Sequence, residues 1–173
     1  IILPESKTTV ADLDWIEVQF GERPKQALEV FDHTPTENKL KKGDFCFIDT
    51  GGFYKMYQAD MQRVFWFGRN PTSDEKKAYD TLLNAVDTAC EKMRPDAKCS
   101  DIHRTVEEIL RKLGWHYTFS SGHGVGLMIH ELPCFSDLSN EILEENMVMT
   151  LEIAVGVPVA GGIENVQYED EIL

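Results

Sequence analysis

The chain has 173 residues, 42% hydrophobic and 27% charged, which suits one domain with a sizeable core. Its 30 acidic residues against 17 basic ones leave a net charge of −13, which repels nucleic-acid phosphates and anionic membranes and sets both aside as partners. Cys46, Cys90, Cys99 and Cys134 show no CxxC spacing and point to a reducing, cytoplasmic setting, and no apolar stretch reaches transmembrane length.

In chain order, Thr9 is placed to cap a helix through about Phe20, with Val10, Leu13, Ile16 and Phe20 on one stripe. Strand-like runs follow in "DFCFIDTGG" and "MYQADMQRVFWFG". A second helix starts after Ser73, carries Tyr79, Leu82, Leu83, Val86, Cys90 and Met93 at helical spacing, and is ended by Pro95. A third begins at Ser100, buries Ile102, Val106, Ile109, Leu110 and Leu113, and stops at Gly114. Three more strand-like runs complete the chain: "VGLMIHE", "MVMTLEIAVGV" and "NVQYEDEIL". The pattern predicts an α+β domain, a mostly antiparallel sheet with helices on one face. A chain that opens at Ile1 without methionine and stops in "EDEIL" reads as a piece of a longer protein.

Several carboxylates fall where strands disfavour them. A hairpin turning about Tyr54–Lys55 sets Asp49 directly opposite Asp60 on one face, and like charges so placed repel. Either one acid caps the turn and the other faces water, or a cation lies between them. Glu152 interrupts the apolar run "MVMTLEIAV", where a charge must pair with a base or bind metal. Thr150 and Ala154, on its face, are small enough to leave room. In "NVQYEDEIL", Val166, Tyr168 and Ile172 share an apolar face, whereas Gln167, Glu169 and Glu171 share the other. Glu169 is therefore preferred to Glu164 as the site acid, and Asp170 should find a partner on the packed face.

The stretch "SGHGVGLMIHELP", Ser121 to Pro133, holds three glycines and two histidines seven residues apart. Glycine lets another group approach the backbone, and histidine binds metals or moves protons near neutral pH. In an unbroken strand the rings of His123 and His130 point to opposite faces, unless a bulge at Gly124 or Gly126 re-aims one.

The order Asp49, Asp60, His123, Glu152, Glu169, with "GDFCFIDTGGFYKMYQADMQRVFWFG", "GHGVGLMIHELP", "MVMTLE" and "QYEDEIL", resembles the pita-bread metallopeptidase superfamily. That group includes methionine aminopeptidase, aminopeptidase P, prolidase and the metal-free creatinase. The Asp49–Asp60 spacing, "GHGVG" and "HELP" look most like the aminopeptidase P and prolidase branch. The resemblance implies a curved, mostly antiparallel sheet with helices on its outer face. It implies one catalytic domain over residues 1–173, shortened at both ends, with the branch's upstream domain outside this chain.

The resemblance makes Asp49, Asp60, His123, Glu152 and Glu169 ligands of two divalent ions, manganese first and Co, Fe or Zn as alternatives. Glu152 is then also a general base, and His130 and His33 face the substrate. His103 and His116 match nothing and read as surface or structural residues. The implied activity is a dinuclear metal-dependent hydrolase, an aminopeptidase cleaving Xaa-Pro bonds, on a peptide or small-molecule substrate, with a homodimer for the full-length protein. A creatinase-like or other non-peptide C–N or elimination enzyme, and a non-catalytic binding module, are the alternatives on the same fold. Three departures stand out. Ile153 replaces the usual proline after the ligand glutamate, Gln167 stands where dipeptide-trimming members often carry arginine, and the interval from Glu152 to Glu169 is long. The last keeps Glu164 as a competitor.

Overall fold

The computed structural model describes residues 11–20, 37–160 and 162–173, with side chains from Glu17 to Gln19 in the first segment. Its elements are β1 (Ala11–Phe20), β2 (Phe45–Tyr54), β3 (Tyr57–Trp66), α1 (Ser73–Cys90) and α2 (Cys99–Leu110). They continue as β4 (His116–Tyr117), β5 (His123–Gly124), β6 (Glu131–Cys134), β7 (Met149–Val159) and β8 (Gly162–Ile172). One sheet joins the strands in the order β1-β2-β3-β8-β7-β5-β6, with β4 also paired to β7, and every described pairing is antiparallel.

Ala11–Phe20 is a strand and not the expected helix, while Thr9, its supposed cap, lies outside the described residues. The local stripe loses to a long-range demand: β2 pairs with β3 along one edge, and the backbone of its other edge needs a partner. Residues of high strand propensity such as Trp15, Ile16 and Val18 suit that role, with a register shift between Leu13 and Trp15.

The β2–β3 hairpin turns on Lys55 and Met56, both with positive φ (50° and 76°), so Tyr54 faces Tyr57. This two-residue connection matches the twist of its strands. Asp49 consequently faces Gln62, and Asp60 faces Gly51, correcting the expected direct opposition. The difference is one full pleat, so both aspartates stay on one face.

Thr72 and Glu75 form a reciprocal capping box that starts α1. The helix ends at Cys90, short of the expected Pro95, in a tightened turn with Met93 N–H donating to the carbonyls of Ala89 and Cys90. α2 begins at Cys99 and runs into a 3-10 turn over Arg111–Leu113, closed by Gly114 at φ 70°. Ala78, Leu82, Ala85 and Ala89 of α1 and Ile102, Val106 and Leu110 of α2 are buried with Leu151, Ile153, Val155 and Val166 of the sheet. Alanines on α1 let the helix lie close to β7 and β8, and each buried large aliphatic contributes about 1.5–3 kcal/mol. This core fixes one face of β7 and β8, and alternation turns Glu152 and Glu169 to the other.

"VGLMIHE" is not a strand. Only His123–Gly124 pairs as β5, bends occupy Gly126–His130, and pairing resumes at Glu131. Glu131 Oε1 accepts the Met128 N–H at 2.7 Å, and the Gly126 carbonyl accepts the Gln58 N–H at 2.7 Å. These two bonds, one local and one to β3, replace the ladder. A Cβ on Gly126 would meet the Glu131 carboxylate at 2.6 Å and push that side chain aside, disturbing its bond to the Met128 N–H.

Candidate metal centre

Four strands bring one residue each into a single row. Asp49 on β2 faces Gln62 on β3, Gln62 faces Glu169 on β8, and Glu169 faces Glu152 on β7. One pleat away, Asp60 lies beside Glu171, whose Oε1 accepts the Asp60 N–H at 2.8 Å. His123 enters from β5, its N–H donating to Thr150 Oγ1 at 3.1 Å. Gly122 makes that approach possible: at φ 140°, a Cβ there would stand 2.1 Å from the Thr150 carbonyl oxygen.

The His123 ring is oriented by its own strand. Nδ1 lies 3.1 Å from the Gly124 carbonyl and donates to it, which directs Nε2 into the acid cluster. Around Nε2 stand Asp60 Oδ2 at 3.7 Å, Glu152 Oε2 at 3.6 Å and Glu169 Oε1 at 3.6 Å. These separations are long for hydrogen bonds, but ligands bound about 2.0–2.2 Å from one cation sit roughly 3–3.5 Å apart. His123 Nε2, Asp49 Oδ1, Asp60 Oδ1 and both oxygens of Glu169 are buried without a hydrogen-bond partner. Oxygen and nitrogen donors that are buried and unpartnered fit a divalent cation, and no thiolate belongs to the cluster.

Without an ion this arrangement is electrostatically costly. Burial, with Glu169 and Asp60 nearby, pushes Asp49 up to about 8. Burial and the charges of Glu152 and Asp60 push Glu169 to about 8 against the opposing pull of His123. Asp60 rises to about 6, again chiefly by burial. Burial disfavours the charged His123 ring, yet the carboxylates of Glu152 and Glu169 outweigh it and raise the ring to about 10. Three acids that resist ionisation, gathered with an ionised Glu152 around one imidazole, have the chemistry of a cation site.

His130 is exposed, and its ring centroid lies 4.4 Å from that of His123 at an interplanar angle of 64°. The bend over Gly126–His130 thus brings the two imidazoles together, where an unbroken strand would have separated them. His33 lies outside the described residues. Glu164 is elsewhere: it faces core residue Val157 and stands 3.9 Å from Arg69, which also grips Glu75 through bonds of 2.6 and 2.7 Å. Asp170 finds Arg63 at 2.5 Å and the Tyr168 hydroxyl.

Three contributors were missed by sequence reasoning. Gln62 donates to two of the acids, Glu171 holds the Asp60 backbone, and buried His103 contacts Ser121 Oγ at 2.8 Å. Ser121 in turn accepts the Glu152 N–H at its carbonyl, 3.0 Å away. Parity with Asp60 was the available signal for Gln62, and none existed for His103.

An antiparallel sheet packed on two helices, with buried acids and a histidine gathered on its other face, defines the pita-bread class of metallopeptidase domain. The chain belongs to metallopeptidase family M24, whose model matches residues 18–173. It is 32% identical over 140 residues to the Xaa-Pro dipeptidase of Pyrococcus furiosus, covering 80% of this chain and 39% of that protein. Prolidase from Pyrococcus furiosus superposes with a TM-score of 0.80 at 29% identity, covering 91% of this chain and 45% of that one. X-Pro aminopeptidase from Thermotoga maritima gives 0.78 at 26% identity, with 90% and 43% covered. The chain therefore spans less than half the length of these relatives. No described helix is long and apolar enough to cross a membrane.

Proposed function

We propose that the chain is the catalytic domain of a dinuclear metal-dependent peptidase that cleaves Xaa-Pro bonds. The observation that carries this reading is the buried, unpartnered set of donors on Asp49, Asp60, His123 and Glu169 beside Glu152. Asp49, Asp60, His123, Glu152 and Glu169 are assigned as ligands, with manganese the first choice of ion. The likeness to an Xaa-Pro dipeptidase, a prolidase and an X-Pro aminopeptidase supports the substrate class.

When bound, the paired ions acidify a water near neutral pH and polarise the scissile carbonyl. The chain's own groups do the rest. Glu152, partly exposed at the rim of the cluster, takes the proton from the attacking water and passes it to the leaving amine. His130, exposed beside His123, donates an N–H to the developing oxyanion. His33 is assigned to substrate binding by the family resemblance alone. Gln167 is neutral and buried, so at its position no fixed cation meets a free carboxylate one residue beyond the scissile bond, and peptides longer than dipeptides suit this site. A homodimer of the full-length protein and a cytoplasmic location complete the proposal.

Metal content and peptide hydrolysis test it together. Two divalent ions per chain, with release of the residue preceding proline, is the expected result. Asp60→Asn should lose binding of at least one ion, and a wild-type chain that binds no ion overturns the reading.

A further inference from the structure

The centre is assembled from two parts of the sheet. Asp49 and Asp60 belong to the β1-β2-β3 side, and Glu169, Glu152 and His123 to the β8-β7-β5 side. The seam between β3 and β8 is narrow: among the described residues its ladder has one Cα pair, Gln62↔Glu169. Any shift at this seam changes the distance between ligands from the two sides, so something must hold it at the level of the side chains.

Gln62 sits on that seam, 4% exposed. Its Nε2 donates to Asp49 Oδ2 at 2.8 Å and to Glu152 Oε1 at 2.9 Å, tying β2 to β7 over the intervening strands. The amide is oriented as the loaded site requires, because acids that hold a cation are ionised and only accept, so the NH2 end must face both. Each acid thereby has one oxygen occupied. Asp49 Oδ1 is left buried and unpartnered, and Glu152 Oε2 is left beside His123. Gln62 Oε1 is likewise buried without a donor, a neutral oxygen within the same cluster. On the opposite face the neighbouring Arg63 makes a matching link, its Nη1 donating to the carbonyls of Gln62 and Glu169.

A glutamine is chemically particular here. Lysine or arginine would hold the two acids but oppose a cation, and glutamate would add a charge and donate nothing. Asparagine carries the same amide on a side chain one methylene shorter, too short to span both acids.

We propose that Gln62 is a positioning residue of the metal centre. Its amide clasps Asp49 to Glu152 across the β3–β8 seam, leaves each acid one oxygen for an ion, and sets the separation of the two ion positions. This inference rests on the dinuclear reading of the site.

The test uses the whole chain stripped with a chelator and titrated with Mn2+ alone, followed by calorimetry and by the exchange-coupled electron paramagnetic resonance signal of a manganese pair. Gln62→Met, similar in length but unable to donate, should fold with an unchanged circular dichroism spectrum. It should bind at least one ion roughly tenfold or more weakly, the scale of a lost ligand-orienting bond. The coupled signal should weaken with it, which a purely structural role would not produce in a folded protein. Gln62→Asn should fall between the two and decides the matter if the methionine variant does not fold. Wild-type isotherms and coupling in the folded variants overturn this inference and leave the metal reading standing. No Mn2+ bound to the wild-type chain overturns both.

Discussion

His123 Nε2 and Glu169 Oε1 stand 3.6 Å apart in the interior, and neither atom has a hydrogen-bond partner. They reach this relationship from strands that are not adjacent, β5 and β8, with β7 between them. Two polar atoms held so close, buried and unbonded, cost stability unless a third group binds both.

That relationship separates Glu169 from its competitor. Glu169→Gln keeps the shape and removes one charge from the cluster, so metal binding should weaken and activity should be lost. Glu164→Gln alters a group beside Arg69 and Glu75 and should leave metal occupancy near normal. Metal analysis of the two variants checks this, and the opposite pattern reverses the assignment.

The ion-free protein should lose stability as pH rises. Asp49 and Glu169 ionise near 3.8 and 4.5 in an ordinary setting but hold protons to about 8 in the folded chain. Between those limits the folded state binds more protons than the unfolded state, so unfolding becomes easier with each step upward. His123, raised from 6.5 to about 10, acts in the same direction over its own window. Thermal unfolding of chelated protein at pH 5, 7 and 9 should show a falling midpoint, and saturating Mn2+ should reverse most of the fall at pH 7 and above. A midpoint in the chelated protein that rises with pH contradicts the assignment.

His130→Ala should leave both ions bound and lower turnover by roughly a hundredfold, the usual scale for one oxyanion donor. His130 also lies close enough to Asp60 and His123 to share an ion with them. Loss of one ion in the variant makes His130 a ligand instead, and unchanged turnover removes it from the chemistry.

Glu75 tests the fold independently of the site. It is 1% exposed, accepts two bonds from Arg69, and closes the cap of α1. Desolvation opposes its ionised form, but the Arg69 guanidinium and neighbouring donors hold its carboxyl well below the usual carboxylate range. Glu75→Ala takes away the two-bond partner of Arg69 and opens the cap, and should cost about 1–3 kcal/mol in denaturant unfolding. A loss well under 1 kcal/mol shows that solvent satisfies Arg69.

The sequence by itself determined whatever repeats over a few residues. Helical spacing placed α1 and α2, and alternation put Glu152 and Glu169 on the face away from the helices, because side-chain direction follows from local backbone geometry alone. Asp49 and Asp60 kept their common face although their register was misjudged, since an error of two residues preserves parity. Tertiary structure decided what depends on neighbours far away in the chain. Ala11–Phe20 became a strand because β2 needed a partner, and the bend that brings His130 to His123 is seated on β3, where the Gln58 N–H donates to the Gly126 carbonyl. Gln62 acquired its place only when β3 met β8. Its two acceptors, Asp49 and Glu152, lie on β2 and β7, and the energy of buried polar groups depends on which atoms surround them, a property no short stretch of sequence contains.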